Sequence, residues 1–201
     1  MRITIICEGK TERAFKPCLH DFLRGHLEGQ MPALKFDAHN GSIPTKKKLR
    51  RVVSNLLNSG AKKSDAVIAL TDVYPAFDDA DEAKRQMNEW VGDEPRFHAH
   101  VALHDFEAWL LPHWDRIQKL AGRNSAPFGA NPEGVNDQNP PAHRLARMFE
   151  AGTCRDSYNK PRDAGRILRG ADLMTSINSC PELKAFVNTI LKFCDESKVI
   201  E

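Results

Sequence analysis

Residues 3–12 have the sequence ITIICEGKTE, and this stretch decides how the chain folds. Residues 3–7 are apolar and rich in β-branched side chains, which predicts a buried strand. Glu8 and Gly9 end that strand in a tight turn. Large apolar residues then recur at helical spacing as far as about His26. The stretch therefore predicts a strand, a turn and an amphipathic helix in direct succession.

The same succession continues along the chain. Residues 34–39, 66–70 and 97–103 have the pattern of further strands. Between them, 49–57 and 78–91 have the apolar periodicity of helices. Strands that alternate with helices form right-handed crossovers and a mainly parallel sheet. We predict an α/β fold, a mainly parallel sheet flanked by helices.

The chain divides into three parts by composition. Residues 1–121 carry the alternating pattern and form the predicted α/β domain. Residues 122–141 are rich in Gly, Asn and Pro, which predicts an irregular loop. Helical patterns then cover parts of 142–201, so we expect a helical C-terminal extension packed on the same domain.

Composition excludes several classes of protein. The 201 residues suit one domain, with 41% hydrophobic and 28% charged residues. The sequence lacks a run of about 18 apolar residues and a signal-peptide pattern, so we expect a cytoplasmic protein without membrane contact. The five cysteines are odd in number and form no C-x-x-C pair, which indicates neither a disulfide framework nor a zinc site.

Acidic residues follow three of the predicted strands, at Glu8, at Asp72 and at the pair Asp105 and Glu107. Sites in parallel sheets lie at the carboxyl ends of the strands. Carboxylates gathered there repel one another unless a hard cation such as Mg²⁺ or Mn²⁺ neutralises them. Glu8, Asp72 and Glu107 are the first choice of ligands, with Asp105 and Asp78 as further candidates. Alternatively, each residue caps a helix or is solvated at a strand end.

Basic residues cluster at the start of the second predicted helix, where cations oppose the helix dipole. An unfavourable position suggests a use, and Lys and Arg supply most sequence-independent affinity for nucleic acid. The net charge of +2 is too small to establish such a partner, and a solvated helix face explains the cluster equally well. The candidate contacts to nucleic acid are Lys10, Lys46, Lys47, Lys48, Arg50, Arg51 and Arg144.

Other conspicuous side chains are interpreted as structural. His98 and His100 alternate along a strand, which favours packed or exposed residues over a metal site. Trp109 and Trp114 are interpreted as core aromatics. Glu12 is left open between a role in the site and a helix N-terminal residue that pairs with the dipole.

Two segments resemble a known group of proteins. CEGKTE at 7–12 and VIALTDVY at 67–74 resemble the Toprim domain of topoisomerases, primases and overcoming-lysogenization-defect (OLD) nucleases. That resemblance implies that Glu8 is a metal ligand or acid/base and that Asp72 binds metal. The chain departs from the Asp-x-Asp of that group because Tyr74 stands at the second position. The departure puts a two-metal mechanism in doubt.

Four further segments are LHDFEAWL at 103–110, PPAHRL at 140–145, SYNK at 157–160 and SCP at 179–181. They resemble, in this order, the LHEFEALLF-like, PSKRL-like, Y-x-K-like and CP-like segments of a bacterial family of unknown function related to Toprim proteins. By this resemblance, Arg144, Tyr158 and Lys160 would approach a phosphate or stabilise the transition state.

The resemblance implies a divalent-metal-dependent nuclease that acts on DNA or RNA, in bacterial defence and beside a partner ATPase. Glu8, Asp72, Glu107 and Lys160 would be its catalytic residues. The alternative is a non-catalytic Toprim-like binding or regulatory subunit of a defence complex. A homo-oligomer is compatible with either function.

Overall fold

A four-stranded parallel sheet forms the centre of the protein, in the order β2-β1-β3-β4. The computed structural model describes residues 1–28, 31–127, 131–134, 140–154 and 157–201. The strands are β1 (Arg2–Cys7), β2 (Ala33–Ala38), β3 (Ala66–Asp72) and β4 (Phe97–Ala102).

Three helices follow the first three strands: α1 (Lys10–His26), α2 (Lys46–Asn58) and α3 (Ala80–Val91). Short 3₁₀ helices cover Phe106–His113, Pro132–Gly134 and Glu196–Lys198. No helix among the described residues is both long enough and apolar enough to cross a membrane. The remaining helices are α4 (Trp114–Ala121), α5 (Pro141–Glu150), α6 (Lys160–Leu168), α7 (Met174–Ile177) and α8 (Pro181–Cys194).

The two faces of the sheet bury different cores because successive strand residues point to opposite sides. Ile5 and Ile68 belong to the larger core, which α1 and the C-terminal helices cover. Ile6 and Val67 belong to a smaller core beneath α2 and α3. The C-terminal helices therefore share the larger core with the first half of the chain.

The predicted fold class, an α/β fold with a mainly parallel sheet flanked by helices, is confirmed. The domain boundaries at 121 and 142 stay a prediction. In the predicted loop, residues 128–130 and 135–139 lie outside the described residues.

The sequence did not predict the 3₁₀ helix Phe106–His113 or the short helix α7. Within Phe106–His113 every residue except Pro112 is buried. An element that is buried on all sides lacks the polar face that makes a helix recognisable in a sequence. The segment therefore had no periodicity to identify it.

His98 and His100 face α8, as expected of packed residues. Their rings lie edge-on to Phe193 and Phe186, with centroids 5.0 and 5.7 Å apart respectively. Trp109 is 1% exposed and belongs to the larger core, so its interpretation as a core aromatic is confirmed.

Candidate functional site

The strand order brings the acidic strand ends together. β1, β3 and β4 are neighbours in the parallel sheet, so their carboxyl ends lie along one edge. Glu8 follows β1, Asp72 ends β3, and Asp105 begins the turn into the 3₁₀ helix after β4. We call Glu8, Glu12, Asp72, Asp105 and Glu107 the carboxylate cluster.

Glu8 is held against the neighbouring strand. Its Oε1 accepts hydrogen bonds from the Thr71 hydroxyl and, at 3.0 Å, from the backbone N–H of Asp72. Burial nevertheless raises the pKa of Glu8, against the lowering effect of these bonds and of Lys160. The carboxylate is thus fixed in position and only partly compensated.

Asp105 is buried, with 5% of its surface exposed. Its Oδ2 accepts a hydrogen bond from the backbone N–H of Ala142 at 3.1 Å, at the start of α5. Its Oδ1 is buried and has no hydrogen-bond partner among the residues that the structure describes. Burial and the neighbouring Glu107 raise the pKa of Asp105 to about 7.

Glu107 is 1% exposed and meets the C-terminal part of the chain. Its Oε2 accepts a hydrogen bond from Nζ of Lys160 at 3.3 Å, and its Oε1 accepts one from the hydroxyl of Tyr158 at 3.4 Å. Burial raises the pKa of Tyr158, as does the charge of Glu107, so its hydroxyl stays protonated. Glu107 therefore joins the sheet edge to the segment that leads into α6.

The carboxylates act on one another electrostatically. Burial raises the pKa of Asp72 well above its usual range, and the other four members of the cluster raise it further. Burial also raises the pKa of Glu12 to about 7, helped by Glu8 and Glu107. Such shifts show that burial, with the repulsion between neighbouring acids, disfavours the ionised forms of these carboxylates.

Lys160 is the cation that acts on this charge. Burial lowers its pKa, but Glu107, Asp105 and Asp72 raise it by more, so its pKa lies above the ordinary value. Its side chain is half exposed, at 50%. The ammonium group can therefore interact both with the cluster and with a ligand from solvent.

The backbone beside the cluster adopts an uncommon conformation at His104, which has a φ of 69°. Non-glycine residues rarely take up this left-handed region, and such strain concentrates at functional sites. The carbonyl of His104 accepts a hydrogen bond from the N–H of Tyr74 at 2.9 Å, two residues beyond Asp72. This bond ties the end of β3 to the turn that presents Asp105.

The donor chemistry of the cluster fits a hard divalent cation, which prefers carboxylate oxygens. The unpartnered Oδ1 of Asp105 is an oxygen of this kind. In the part of the chain that the structure describes, however, no three His, Cys, Asp or Glu side chains are arranged to hold a metal ion together. The carboxylates are gathered, but they do not converge on one point.

The other predicted site residues differ in their exposure and contacts. Asp78 is exposed, and its backbone N–H donates to Glu82 at the start of α3. Arg50 donates from Nε to the carbonyl of Val91 at 2.8 Å, so it is bound to the end of α3. Arg144 is half-buried on α5. Lys10, at the start of α1, is exposed. On α2 the exposed candidates include Lys46, Lys47, Lys48 and Arg51.

Three contributors to the site had little or no signal in the sequence. Thr71 and His104 act through one hydroxyl and one backbone carbonyl, which no residue pattern identifies. The burial of Glu12, at 4% exposure, favours a place in the site over a solvated helix end, which its spacing alone left open.

The fold and site define the protein as an α/β protein with a Toprim-like sheet and an acidic strand edge. The chain belongs to the family described as a domain of unknown function (DUF4276), which matches residues 7–191. The resemblance of LHDFEAWL and the three later segments to the LHEFEALLF-type family stays a prediction. No match was found among curated proteins.

A solved structure with the same fold is the C-terminal region of the Burkholderia pseudomallei OLD protein. It is 15% identical to this chain, and the match covers 98% of both chains with a TM-score of 0.52. At this identity the likeness shows the fold and leaves the chemistry to be argued from the residues of this chain.

Proposed function

We propose that the protein is a divalent-metal-dependent nuclease, a phosphodiesterase that acts on DNA or RNA. The supporting observation is the carboxylate cluster, whose members are held at one sheet edge although burial and mutual repulsion raise the pKa of several of them. A cation would relieve this repulsion, which explains why the chain keeps so many acids together.

Glu8, Asp72, Glu107 and Asp105 would hold Mg²⁺ or Mn²⁺ through their oxygens. Asp78 is a secondary candidate because it is exposed. When bound, such an ion activates water and stabilises charge on a phosphate. Asp105 would bind through its free Oδ1, while its Oδ2 keeps the bond to Ala142.

Lys160 and Tyr158 would serve the reaction from the C-terminal side. The hydroxyl of Tyr158 orients the carboxylate of Glu107. The half-exposed ammonium of Lys160 would neutralise the phosphate that approaches the cluster. Both residues lie beyond 156 in the chain, so the helical extension would supply part of the active site.

Exposed cations on the α2 side would bind the nucleic-acid backbone. Lys46, Lys47, Lys48 and Arg51 fit this role, and Lys10 lies just after the cluster residue Glu8. Arg50 is the weakest candidate because its Nε already donates a hydrogen bond to the carbonyl of Val91. Such contacts would give affinity without sequence preference.

We further propose that the protein works beside an ATPase in bacterial defence. The support is the resemblance to OLD nucleases and the likeness to a C-terminal region of an OLD protein. Copurification with an ATPase from the native host would support this part of the proposal.

The deciding experiment is cleavage of plasmid and single-stranded substrates with Mg²⁺ or Mn²⁺. Wild type should cut, and Glu8→Gln and Asp72→Asn should each reduce the rate by at least about 100-fold. The matched control is Asp81→Asn, an exposed acid in the first turn of α3. Equal rates in all four proteins would refute the catalytic assignment.

The second candidate function is a non-catalytic binding or regulatory subunit. Two observations favour it: Tyr74 replaces the second acid, and the described carboxylates do not converge on one point. This function predicts no divalent-ion binding. Calorimetric titration with Mg²⁺ and with Mn²⁺ separates the two candidates, because only the nuclease should bind an ion in a manner that Asp72→Asn abolishes.

A further inference from the structure

A cavity of about 710 Å³ lies between α5 and the segment that follows α4, apart from the carboxylate cluster. Cavities of roughly 300–1,000 Å³ hold small molecules in proteins. Its lining includes Trp114, Arg123, Arg144, Arg147 and Met148. Glu150 is the one carboxylate among the described lining residues, so the cavity carries a net positive charge.

Two of these arginines are available to a ligand. Within the described residues, the guanidinium groups of Arg123 and Arg147 take part in no ion pair or hydrogen bond. They lie 24 residues apart in the sequence, and only the tertiary structure brings them to one cavity. A free guanidinium is suited to bidentate binding of a phosphate.

The segment that carries Arg123 is held in place by α4. The indole N–H of Trp114 donates to the carbonyl of Ser125 at 3.0 Å, and the N–H of Ser125 donates to Oε1 of Gln118 at 2.7 Å. Trp114 and Met148 are 8% and 6% exposed, so they give the cavity a packed apolar wall. The cavity therefore combines free cations with an apolar surface suited to a base.

Helix α5 connects the cavity with the carboxylate cluster. Ala142 bonds to Asp105, and Arg147 follows five residues later on the same helix. At 1.5 Å of rise per residue, this is about 8 Å along the helix axis.

We propose that this cavity binds a nucleoside 5′-phosphate, presented either by a free nucleotide or by the phosphorylated end of a nucleic-acid strand. Arg123 and Arg147 bind the phosphate, and the base packs against the wall that Trp114 and Met148 form. The strand source rests on the proposed nuclease function, whereas the free-nucleotide source does not.

The test measures binding in EDTA, so that no metal-dependent step contributes. The probes are a nucleoside 5′-monophosphate and a 3′-labelled single-stranded oligonucleotide with either a 5′-phosphate or a 5′-hydroxyl. A preference for the 5′-phosphate of at least about tenfold would support a strand end. Binding of the mononucleotide without that preference would support a free nucleotide.

Arg123→Gln and Arg147→Gln should each weaken binding by about tenfold, and Arg147→Lys should restore part of it. The matched control is Arg85→Gln, an exposed arginine on α3 that pairs with Glu89, and it should bind like wild type. The proposal is overturned if no probe binds, or if binding is equal in wild type and both glutamine variants. Glu8→Gln should leave this binding unchanged even where it abolishes cleavage.

Discussion

Asp163 and Asp105 are both buried carboxylates, but their surroundings differ. Asp163 is 0% exposed and accepts hydrogen bonds from Nε of Arg162 at 3.0 Å and from the N–H of Asn159 at 2.8 Å. Asp105 accepts a hydrogen bond from the backbone N–H of Ala142, its Oδ1 has no hydrogen-bond partner among the described residues, and the like charge of Glu107 lies beside it. Asp163 is therefore more fully compensated than Asp105.

The difference separates a structural acid from a functional one. A buried charge with full hydrogen bonding holds its segment in place, here the start of α6. A buried charge without compensation lowers stability, and such groups cluster at functional sites. Asp163 therefore stabilises the packing of α6, whereas Asp105 at the strand edge indicates that a cation binds there.

The largest effect on stability should come from Asp163→Ala. It removes the acceptor of the Asn159 N–H and the partner of Arg162, at a cost of about 2–4 kcal/mol. Urea unfolding at pH 7.5 measures this cost. A loss below about 0.5 kcal/mol would contradict the structural role of this acid, since that is the range of an ordinary surface substitution.

Asp105→Asn should change stability in the opposite direction. The pKa of Asp105 is raised to about 7 in the folded state, so ionising it at pH 8 destabilises the protein. Its replacement by a neutral amide should add about 1–2 kcal/mol at pH 8, and this gain should vanish as the pH falls to about 3.8, where the unfolded chain also becomes protonated. The same variant should cleave more slowly.

The control for Asp105→Asn is Asp81→Asn, whose exposed side chain should show neither change. A variant of Asp105 that loses both stability and cleavage would remove the distinction between the two buried acids.

His100 extends the comparison to a buried base. Burial and the charge of Lys84 lower its pKa to about 3, and its Nε2 hydrogen-bonds with the hydroxyl of Thr189 at 2.9 Å. As the pH falls, His100 therefore binds a proton near pH 6.5 in the unfolded chain but only near pH 3 in the folded chain. His100 should make the protein less stable as the pH falls from 6.5 toward 3.

The measurement compares wild type with His100→Gln, which can keep a hydrogen bond to Thr189. Between pH 7 and pH 5, wild type should lose about 2 kcal/mol more than the variant in urea unfolding. The difference between the two proteins isolates His100 from the acids, whose raised pKa values favour the folded state at low pH. Parallel pH profiles would contradict the assignment.

The smallest effects should distinguish two adjacent arginines. Arg50→Ala should cost about 1 kcal/mol because it removes the bond to the carbonyl of Val91. Arg51 is exposed, so Arg51→Ala should change stability by less than about 0.5 kcal/mol but weaken binding to nucleic acid at low salt. Unfolding and anisotropy measurements on both variants test this. Equal changes in stability and in nucleic-acid binding for the two variants would contradict this distinction between Arg50 and Arg51.

Much of the candidate site followed from local pattern. Glu8 and Asp72 were identified because each ends an apolar run, and parallel strands place such ends at one edge. The basic residues at the start of α2 were visible as a run of charge. Neither pattern could show that Arg50 hydrogen-bonds to the carbonyl of Val91, because that depends on where α3 ends.

The sequence by itself determined the alternating strands and helices and the acidic edge of the sheet, because periodicity and strand ends are local properties. Only the tertiary structure decided that Tyr158 and Lys160 meet Glu107, more than 50 residues earlier in the chain. It likewise decided which buried acids are compensated. Hydrogen-bond partners and burial arise when distant segments pack together, and no local pattern carries that information.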